Sequence, residues 1–134
     1  MLQPLPWDSS FHVGLAEIDD DHQRLVALLN GLISALNEQA SQETVGRLLD
    51  ELVNYTAWHF RHEERLMQSY RYSQFIAHKR QHTQLIEQAN QAHSLYRTEG
   101  NKVVMEVVAL LKDWLINHVL IVDKSLAEYL VTRM

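Results

Sequence analysis

Apolar residues recur along this chain at alternating steps of three and four, which is the spacing that places side chains on one face of an α-helix. Four stripes follow this spacing, at residues 18–36, 45–66, 75–96 and 104–122. No segment of the sequence shows the strict polar and apolar alternation that is typical of a half-buried strand. The pattern therefore predicts four helices and an all-α fold.

Short segments with helix-capping residues separate the stripes. Candidate boundary residues are Asp19 and Asp20 at the start of the first helix, Ser41 at the start of the second, Ser69 or Ser73 near the start of the third, and Gly100 at its end. The connections, at residues 37–42, 69–72 and 98–102, are so short that neighbouring helices must run antiparallel. We expect an up-down-up-down four-helix bundle.

The first 17 residues fall outside this pattern, and both prolines of the chain lie within the first six residues. We expect an irregular N-terminal arm over residues 1–17, with Trp7, Phe11 and Val13 packed onto a bundle formed by residues 18–134. A chain of 134 residues fits one domain and can bury an apolar core without disulfides or other cross-links to stabilise it. The prediction is a single domain spanning residues 1–134.

The composition argues against several classes of function. A formal net charge of −5, with no local cluster of Lys and Arg, argues against a nucleic-acid partner. Without cysteine, the chain can form neither a disulfide nor a thiolate metal site. The first residues lack the basic and apolar regions of a secretion signal, and no run approaches about 18 apolar residues. We therefore expect a soluble cytoplasmic protein that has no membrane partner.

Five of the eight histidines lie on the apolar stripes, where the core of the bundle should be. They are His22, His59, His78, His82 and His118. An unpaired buried polar group costs about 1–3 kcal/mol, so each imidazole needs a partner. A single core histidine is more often hydrogen-bonded than metal-bound. Five of them, accompanied by the carboxylates of Glu63 and Asp123, favour a metal site.

Helix direction brings these seven residues to one end of the predicted bundle. His22 lies near the start of the first helix, His59 and Glu63 near the end of the second, His78 and His82 near the start of the third, and His118 and Asp123 near the end of the fourth. In an antiparallel bundle, those four places are at the same end. Convergence of this kind is hard to obtain by chance.

Two of the spacings suit a shared metal site directly, and one does not. His59-x3-Glu63 and His78-x3-His82 are pairs at i and i+4, stacked on one helix face. Asp123 follows His118 by five residues, which is about 140° around a regular α-helix. For Asp123 to join the site, the fourth helix must be distorted there by a π-bulge, a non-helical turn or a break.

Histidine and carboxylate without thiolate suit iron, manganese or zinc, and seven ligands exceed what one ion takes. Two ions are therefore implied. We assume that both ions are octahedral and that both carboxylates and one solvent-derived oxygen bridge them. A single coordination position then stays open. That position can take one small diatomic ligand. Spacing alone leaves open which histidines share an ion.

Four motifs resemble those of the hemerythrin family, whose bacterial members are the bacteriohemerythrins. They are Ile-Asp-x-x-His-x-x-Leu at residues 18–25, His-Phe-x-x-Glu-Glu-x-x-Met at 59–67, His-x3-His at 78–82 and Trp-Leu-x-x-His-x4-Asp at 114–123. The arm adds Trp7 and Phe11-x-Val13-Gly14, which are similar to the family's opening residues. The resemblance spans nearly the whole chain, and the family is known for the same bundle topology.

The resemblance implies two non-haem iron ions per chain, joined by an oxo or hydroxo bridge, and dioxygen as their ligand. His78, His82 and His118 would bind one iron, His22 and His59 the other, and Glu63 and Asp123 would bridge them. Dioxygen would bind end-on to the iron of His22 and His59. The family function is reversible dioxygen carriage, storage or delivery, so we expect an oxygen-binding protein rather than an enzyme, with at most a weak oxidase or peroxidase side activity.

A small, dry pocket is needed to protect bound dioxygen from water. Trp114 and Leu115 precede His118 by one helical turn and are candidates for its wall, with Leu25 and Leu29 as helpers. Plain core packing explains each of the four equally well. The three remaining histidines, His12, His62 and His93, are expected at the surface or beside the ligands. Glu64 and Arg65 are expected on a solvated face.

Three other functions fit the same pattern. The site could sense dioxygen or redox state and signal to a protein partner, which the sequence leaves unknown. It could also belong to a di-iron oxidase, a peroxidase or a nitric-oxide-handling enzyme, or to a zinc or iron store. Ferritin-like di-iron sites use Glu-x-x-His pairs, whereas the pairs here are richer in imidazole, which disfavours oxidase chemistry.

Overall fold

The computed structural model describes residues 2–134, apart from the side chain of Arg97. The helices are α1 (Ala16–Asn37), α2 (Gln42–Ser69), α3 (Phe75–Glu99), α4 (Asn101–Asn117) and α5 (Lys124–Val131). A π-helical segment, His118–Asp123, joins α4 to α5 so that the three form one continuous fourth helix. No strand occurs in residues 2–134. The predicted all-α antiparallel four-helix bundle is confirmed, since α1, α2, α3 and α4 pack in chain order and α1 also contacts α4.

Two of the predicted helix boundaries are correct. The Ser41 hydroxyl accepts a hydrogen bond from the Thr44 backbone N–H at 3.1 Å and caps α2. Gly100 ends α3 with a φ of 70°, a left-handed conformation that glycine adopts without steric cost. Because Asn101 begins α4 directly afterwards, a single residue reverses the chain between the third and fourth helices.

The boundaries of α1 and α3 differ from the prediction. Helix α1 begins at Ala16, so Asp19 lies inside it, and its carboxylate instead accepts a hydrogen bond from the Val13 N–H at 2.7 Å. Asp19 therefore fastens the arm rather than capping the helix. Ser69 is the last residue of α2, and α3 begins at Phe75 without a side-chain cap.

The arm is held along α1 by two asparagines one heptad apart. The Asn30 side chain accepts from the Leu5 N–H and donates to the Leu5 carbonyl, both at 2.8 Å. The Asn37 side chain forms the same pair with Leu2, at 2.9 and 2.8 Å. These amides satisfy backbone groups that have no strand or helix partner. A single 3₁₀ turn, Ser9–Phe11, follows.

The predicted packing of the arm onto the bundle is confirmed. Val13 is buried, and the rings of Trp7 and Phe11 stack with centroids 5.3 Å apart against the core. The arm thereby closes over apolar surface of the bundle that would otherwise face water. No helix among residues 2–134 combines the length and the apolarity needed to cross a membrane.

The core is apolar along most of the bundle and polar only at one end. On α2 the most buried apolar residues are Val45, Leu49, Leu52 and Met67, while Leu48 and Leu66, which lie on the predicted apolar stripe, are half-buried. A core-facing stripe is about 100° wide or more, so neighbouring columns share the contact with the core. The polar end is where the seven predicted ligand residues lie.

Candidate metal centre

The structure brings the seven predicted side chains together in one buried layer that includes residues of all four helices of the bundle. They are His22 from α1, His59 and Glu63 from α2, His78 and His82 from α3, and His118 and Asp123 from the π-helical segment. Each is at most 3 % exposed, although imidazoles and carboxylates normally seek water. Their burial together requires a partner that neutralises the acids and satisfies the nitrogens.

The two carboxylates stand between two groups of imidazoles. The Glu63 Oε2 atom lies 3.2 Å from His59 Nε2 and 3.5 Å from His22 Nε2. The Glu63 Oε1 atom lies 3.2 Å from His78 Nε2 and 3.1 Å from His82 Nε2. The two oxygens of one carboxylate therefore face different histidine groups.

Asp123 repeats this division from the opposite helix. Its Oδ2 atom lies 2.9 Å from His22 Nε2, and its Oδ1 atom lies 3.0 Å from His78 Nε2 and 2.8 Å from His118 Nε2. Two sets of ligand atoms result, each within 4.8 Å of one another, and both contain Glu63 and Asp123. The first adds His22 and His59, and the second adds His78, His82 and His118.

The π-helical segment solves the spacing problem between His118 and Asp123. It begins at His118 and ends at Asp123, so the distortion lies between the two residues that need it. A π-helix closes its hydrogen bonds between residues i and i+5, which aligns these residues as i and i+4 align on an α-helix. Of the three predicted distortions, the structure has the π-helical one.

Several polar atoms in the layer lack a hydrogen-bond partner among the described residues. They are His22 Nε2, His59 Nε2, His82 Nε2, Glu63 Oε2 and Asp123 Oδ1, together with the outer Nδ1 atoms of His22 and His78. The first five lie near other donors and acceptors without the direction that a hydrogen bond requires. Orphaned nitrogens and oxygens that converge on common points are the donor set of a cation site, so these residues fit a pair of metal ions.

The electrostatics of the layer couple imidazoles to carboxylates. Burial lowers the pKa of His22, but the carboxylates of Asp123 and Glu63 outweigh it and raise the pKa to about 9. Burial also lowers the pKa values of His59 and His78, but nearby carboxylates outweigh burial. They raise the pKa of His59 to about 10 and that of His78 to about 9. Without a metal, protons on these imidazoles balance the acids.

The acids respond in the opposite direction. Burial alone raises the pKa of Glu63, but the surrounding imidazoles, His59 first among them, hold it well below its usual value. Burial and the charge of Glu63 raise the pKa of Asp123. His118 and His22 lower it by more, so the net shift is downward. Burial dominates at His118 and lowers the pKa of its imidazole. Both carboxylates are thus anions that a cation can bridge.

These shifts predict opposite pH trends for the metal-free protein and for metal binding. The raised pKa values of His22, His59 and His78 stabilise the metal-free fold below the ordinary pKa of 6.5, and this contribution is lost as the pH rises to 9 and 10. Metal ions bind neutral imidazole, so their affinity must rise over the same range as protons leave.

Thermal unfolding of the chelator-treated protein and zinc titration, both at pH 6, 7, 8 and 9, measure the two trends. We expect the unfolding midpoint of the metal-free protein to fall over this range while zinc affinity rises. The carboxylate contribution stays constant there, because the pKa values of Glu63 and Asp123 lie well below it. A midpoint that rises with pH for the metal-free protein contradicts the proposed coupling.

Three polar residues next to the layer were missed or misjudged from the sequence. Glu64, expected on a solvated face, is half-buried, and its Oε2 lies 3.0 Å from His82 Nδ1. Gln81 Oε1 lies 2.9 Å from His118 Nδ1, and Asp21 Oδ2 lies 2.9 Å from His59 Nδ1. The position of Asp21 could have been recognised from the sequence, since it follows Ile18 of the first apolar stripe by three residues and so lies near the same helix face. Glu64 and Gln81 act across helices, and spacing along one helix cannot show such contacts.

The other histidines lie outside the layer, as expected. His12 and His93 are exposed, and His93 contacts Asp50 near the opposite end of α2. His62 is half-buried beside the site, where its Nδ1 lies 2.6 Å from Asp21 Oδ2. Its position one residue before Glu63 turns it away from the interior, toward α1.

Aromatic rings cover the three-histidine side of the layer. Trp114 stacks on His118 with a centroid distance of 4.0 Å and an interplanar angle of 14°. Phe60 stacks on His82 at 3.9 Å and 2°. The described contacts of Trp114 are thus with His118, His82 and Phe60, which places this ring beside the larger histidine group. The predicted Trp114 wall therefore adjoins that group.

The three leucines predicted for the pocket wall are all buried. Leu25 and Leu29 follow His22 by one and two turns on α1, and Leu115 precedes His118 by one turn on α4. Their burial excludes water from the neighbourhood of the layer.

The fold and the site together define a four-helix bundle whose buried histidines and carboxylates can hold metal ions. The family model described as the hemerythrin HHE cation binding domain matches residues 13–130. Since that match covers most of the chain, the protein belongs to the hemerythrin family.

Individual relatives agree with this. The chain is 32 % identical over 124 residues to a bacteriohemerythrin of Stenotrophomonas maltophilia, covering 92 % of this chain and 80 % of that protein. It is 31 % identical over 113 residues to a bacteriohemerythrin of Methylococcus capsulatus, covering 84 % of each chain. A crystal structure of wild-type hemerythrin superposes with a TM-score of 0.85 at 28 % identity, covering 94 % of this chain and 97 % of that chain.

Proposed function

We propose that this protein binds dioxygen reversibly at a non-haem di-iron centre, with His22 and His59 holding one ion and His78, His82 and His118 holding the other. Glu63 and Asp123 would each supply oxygens to both ions, and a solvent-derived oxygen would complete the bridge. The observation that carries the proposal is the division of each carboxylate, because one oxygen faces the two-histidine group and the other faces the three-histidine group.

The unequal groups support binding of a small ligand on one side. His22 and His59 supply one imidazole fewer than the opposite group, so the two-histidine side is the one left with an exchangeable position. When bound, a pair of ferrous ions supplies the two electrons that reversible dioxygen binding requires. The relatives' name, bacteriohemerythrin, agrees with oxygen binding rather than catalysis.

The chain's own task is to keep the site dry and its ligands fixed. Leu25 and Leu29 lie behind His22 on α1, and Leu115 approaches from α4, all of them buried. We assign these three to the wall of the dioxygen pocket, and Trp114 to the cover over His118. A water-free site slows irreversible oxidation of the ions, so bound dioxygen is released unchanged.

Iron content and optical spectra test the proposal. The protein is loaded with ferrous iron without air, the iron per chain is counted, and dioxygen is added and removed while the visible spectrum is recorded. We expect two irons per chain and an absorption band that appears and disappears over repeated cycles. Zinc-loaded protein is the matched control and should show no band, because Zn²⁺ is not redox-active.

Other outcomes separate the competing functions. A band that decays while dioxygen and an added reductant are consumed contradicts reversible carriage and indicates an oxidase or a peroxidase. One iron per chain, or none, contradicts the di-iron centre itself. Two irons without a response to dioxygen indicate a metal store.

A further inference from the structure

A buried acid that belongs to neither ligand group contacts the centre from α1. Asp21 is 7 % exposed, and its Oδ2 atom lies 2.9 Å from His59 Nδ1 and 2.6 Å from His62 Nδ1. On its other side, His62 Nε2 lies 2.8 Å from the Glu17 carboxylate. Four side chains therefore form a hydrogen-bonded chain from the surface at Glu17 to the buried imidazole of His59.

This series of hydrogen bonds determines which nitrogen of His59 is free to bind a metal ion. A carboxylate can only accept hydrogen bonds, so the Nδ1 atom of His59 must carry the hydrogen that it donates to Asp21. In the neutral imidazole that binds a metal ion, the lone pair is then on Nε2, the atom that faces Glu63. Asp21 thus holds His59 in the tautomer and the ring orientation that a metal ligand needs.

The contact is specific to one half of the centre. Within the two-histidine group, His22 Nδ1 has no hydrogen-bond partner in the part of the chain that the structure describes, while His59 Nδ1 has Asp21. In the three-histidine group, His82 is paired with Glu64 and His118 with the neutral amide of Gln81. Asp21 is therefore the acid that acts on the side to which we assign dioxygen.

The distances favour hydrogen bonds over a third metal ion at this place. Asp21, His59 and His62 lie close enough together to be considered as a cation site. Two ligand atoms about 2.0–2.2 Å from one ion are about 3 Å apart or more. The separation of 2.6 Å between Asp21 and His62 is shorter than that and shorter than any imidazole–carboxylate separation within the two ligand groups, and it matches a strong charge-assisted hydrogen bond.

We infer that Asp21 is a positioning residue that holds His59 as a metal ligand, with His62 and Glu17 supporting it from the surface. The inference rests on the proposed metal centre. A negative partner on Nδ1 also makes His59 a stronger electron donor and so favours the oxidised state of its ion. Loss of Asp21 should weaken one metal position of the two and raise the reduction midpoint potential of the iron centre.

The test compares Asp21→Asn with Asp20→Asn. The control removes the same charge from the neighbouring, exposed position of α1. Competition with a chelator measures the affinity of the full chain for two zinc ions, and ¹⁵N spectra of the zinc-loaded protein report the tautomer of His59. Outer-sphere changes of this kind typically cost about 10–100-fold in affinity. We expect that loss at one zinc position in Asp21→Asn, with a weakened Nδ1–H signal, and no change in Asp20→Asn.

The potential of the iron-loaded protein provides an independent readout. We expect a positive shift in Asp21→Asn and none in the control, which a purely structural role would not produce. His62→Ala keeps the charge of Asp21 but removes the side chain that holds it in place, so a smaller loss of zinc affinity than in Asp21→Asn is expected. If Asp21→Asn does not fold, His62→Ala decides the question.

The possible failures are distinguishable. If the unchanged protein does not bind two ions, the proposed centre fails. If it binds two ions and Asp21→Asn behaves like Asp20→Asn, only the positioning role fails. A third zinc ion that binds the unchanged protein and is lost in Asp21→Asn also overturns the role, because Asp21 is then a ligand. An unchanged zinc affinity in His62→Ala, with Asp21→Asn unfolded, overturns it as well.

Discussion

Replacing Glu63 with glutamine is expected to abolish tight binding of two metal ions while leaving the helices in place. The carboxylate is fully buried and approaches four of the five imidazoles, two with each oxygen. Glutamine has nearly the same shape, but its NH₂ group can only donate, so one side of the proposed bridge would be lost. Removing one partner from a buried charge network costs about 3–5 kcal/mol, which is roughly two to four orders of magnitude in affinity.

Glu64→Gln is the matched control for this variant. It removes the same charge from the next residue, which contacts only the outer nitrogen of His82 among the histidines of the layer. Chelator competition and metal counting should find two ions in Glu64→Gln, weakened by about 10–100-fold at most. If Glu63→Gln holds two ions as tightly as Glu64→Gln does, Glu63 does not bridge the centre.

A pair of single-residue deletions should distinguish the role of the π-helical segment. Deleting Ile121 is expected to convert residues 118–123 into regular α-helix and to keep both metal ions. His118 and Asp123 then stand four residues apart, which aligns them on an α-helix as five residues align them on a π-helix. Ile121 is 66 % exposed, so little packing is lost with it.

Deleting Ile116 is expected to reduce metal binding strongly, although this deletion also removes a single exposed isoleucine. Ile116 is 38 % exposed and lies in the regular part of α4. Its loss rotates His118 by about 100° relative to Leu115 and takes the imidazole out of the layer. Asp123 and α5 can return to register if the π-helical segment becomes α-helical, so the damage should be confined to His118.

Metal counting and the helical circular dichroism of both deletion variants measure this contrast. We expect two ions per chain after deletion of Ile121 and about one after deletion of Ile116, with similar helix content. Loss of both ions in the Ile121 variant contradicts the view that the segment serves to align Asp123. Two tightly held ions in the Ile116 variant contradict a ligand role for His118.

The amino-acid sequence was sufficient to predict the number of helices, their antiparallel order and the layer in which seven polar side chains meet. Periodicity determines which residues share a helix face, and short connections determine direction, so both kinds of information are local. The spacing of His118 and Asp123 also showed that the fourth helix had to be distorted. It did not show which distortion occurs, because several backbone paths satisfy the same spacing.

The tertiary structure decided what local spacing cannot contain. The division of the Glu63 and Asp123 oxygens between two histidine groups depends on how far each helix is rotated about its own axis in the packed bundle. The pairing of Asp21 with His59, and of Glu64 with His82, likewise joins residues on different helices. Side-chain distances across a bundle are set by packing between helices, whereas sequence periodicity describes each helix by itself.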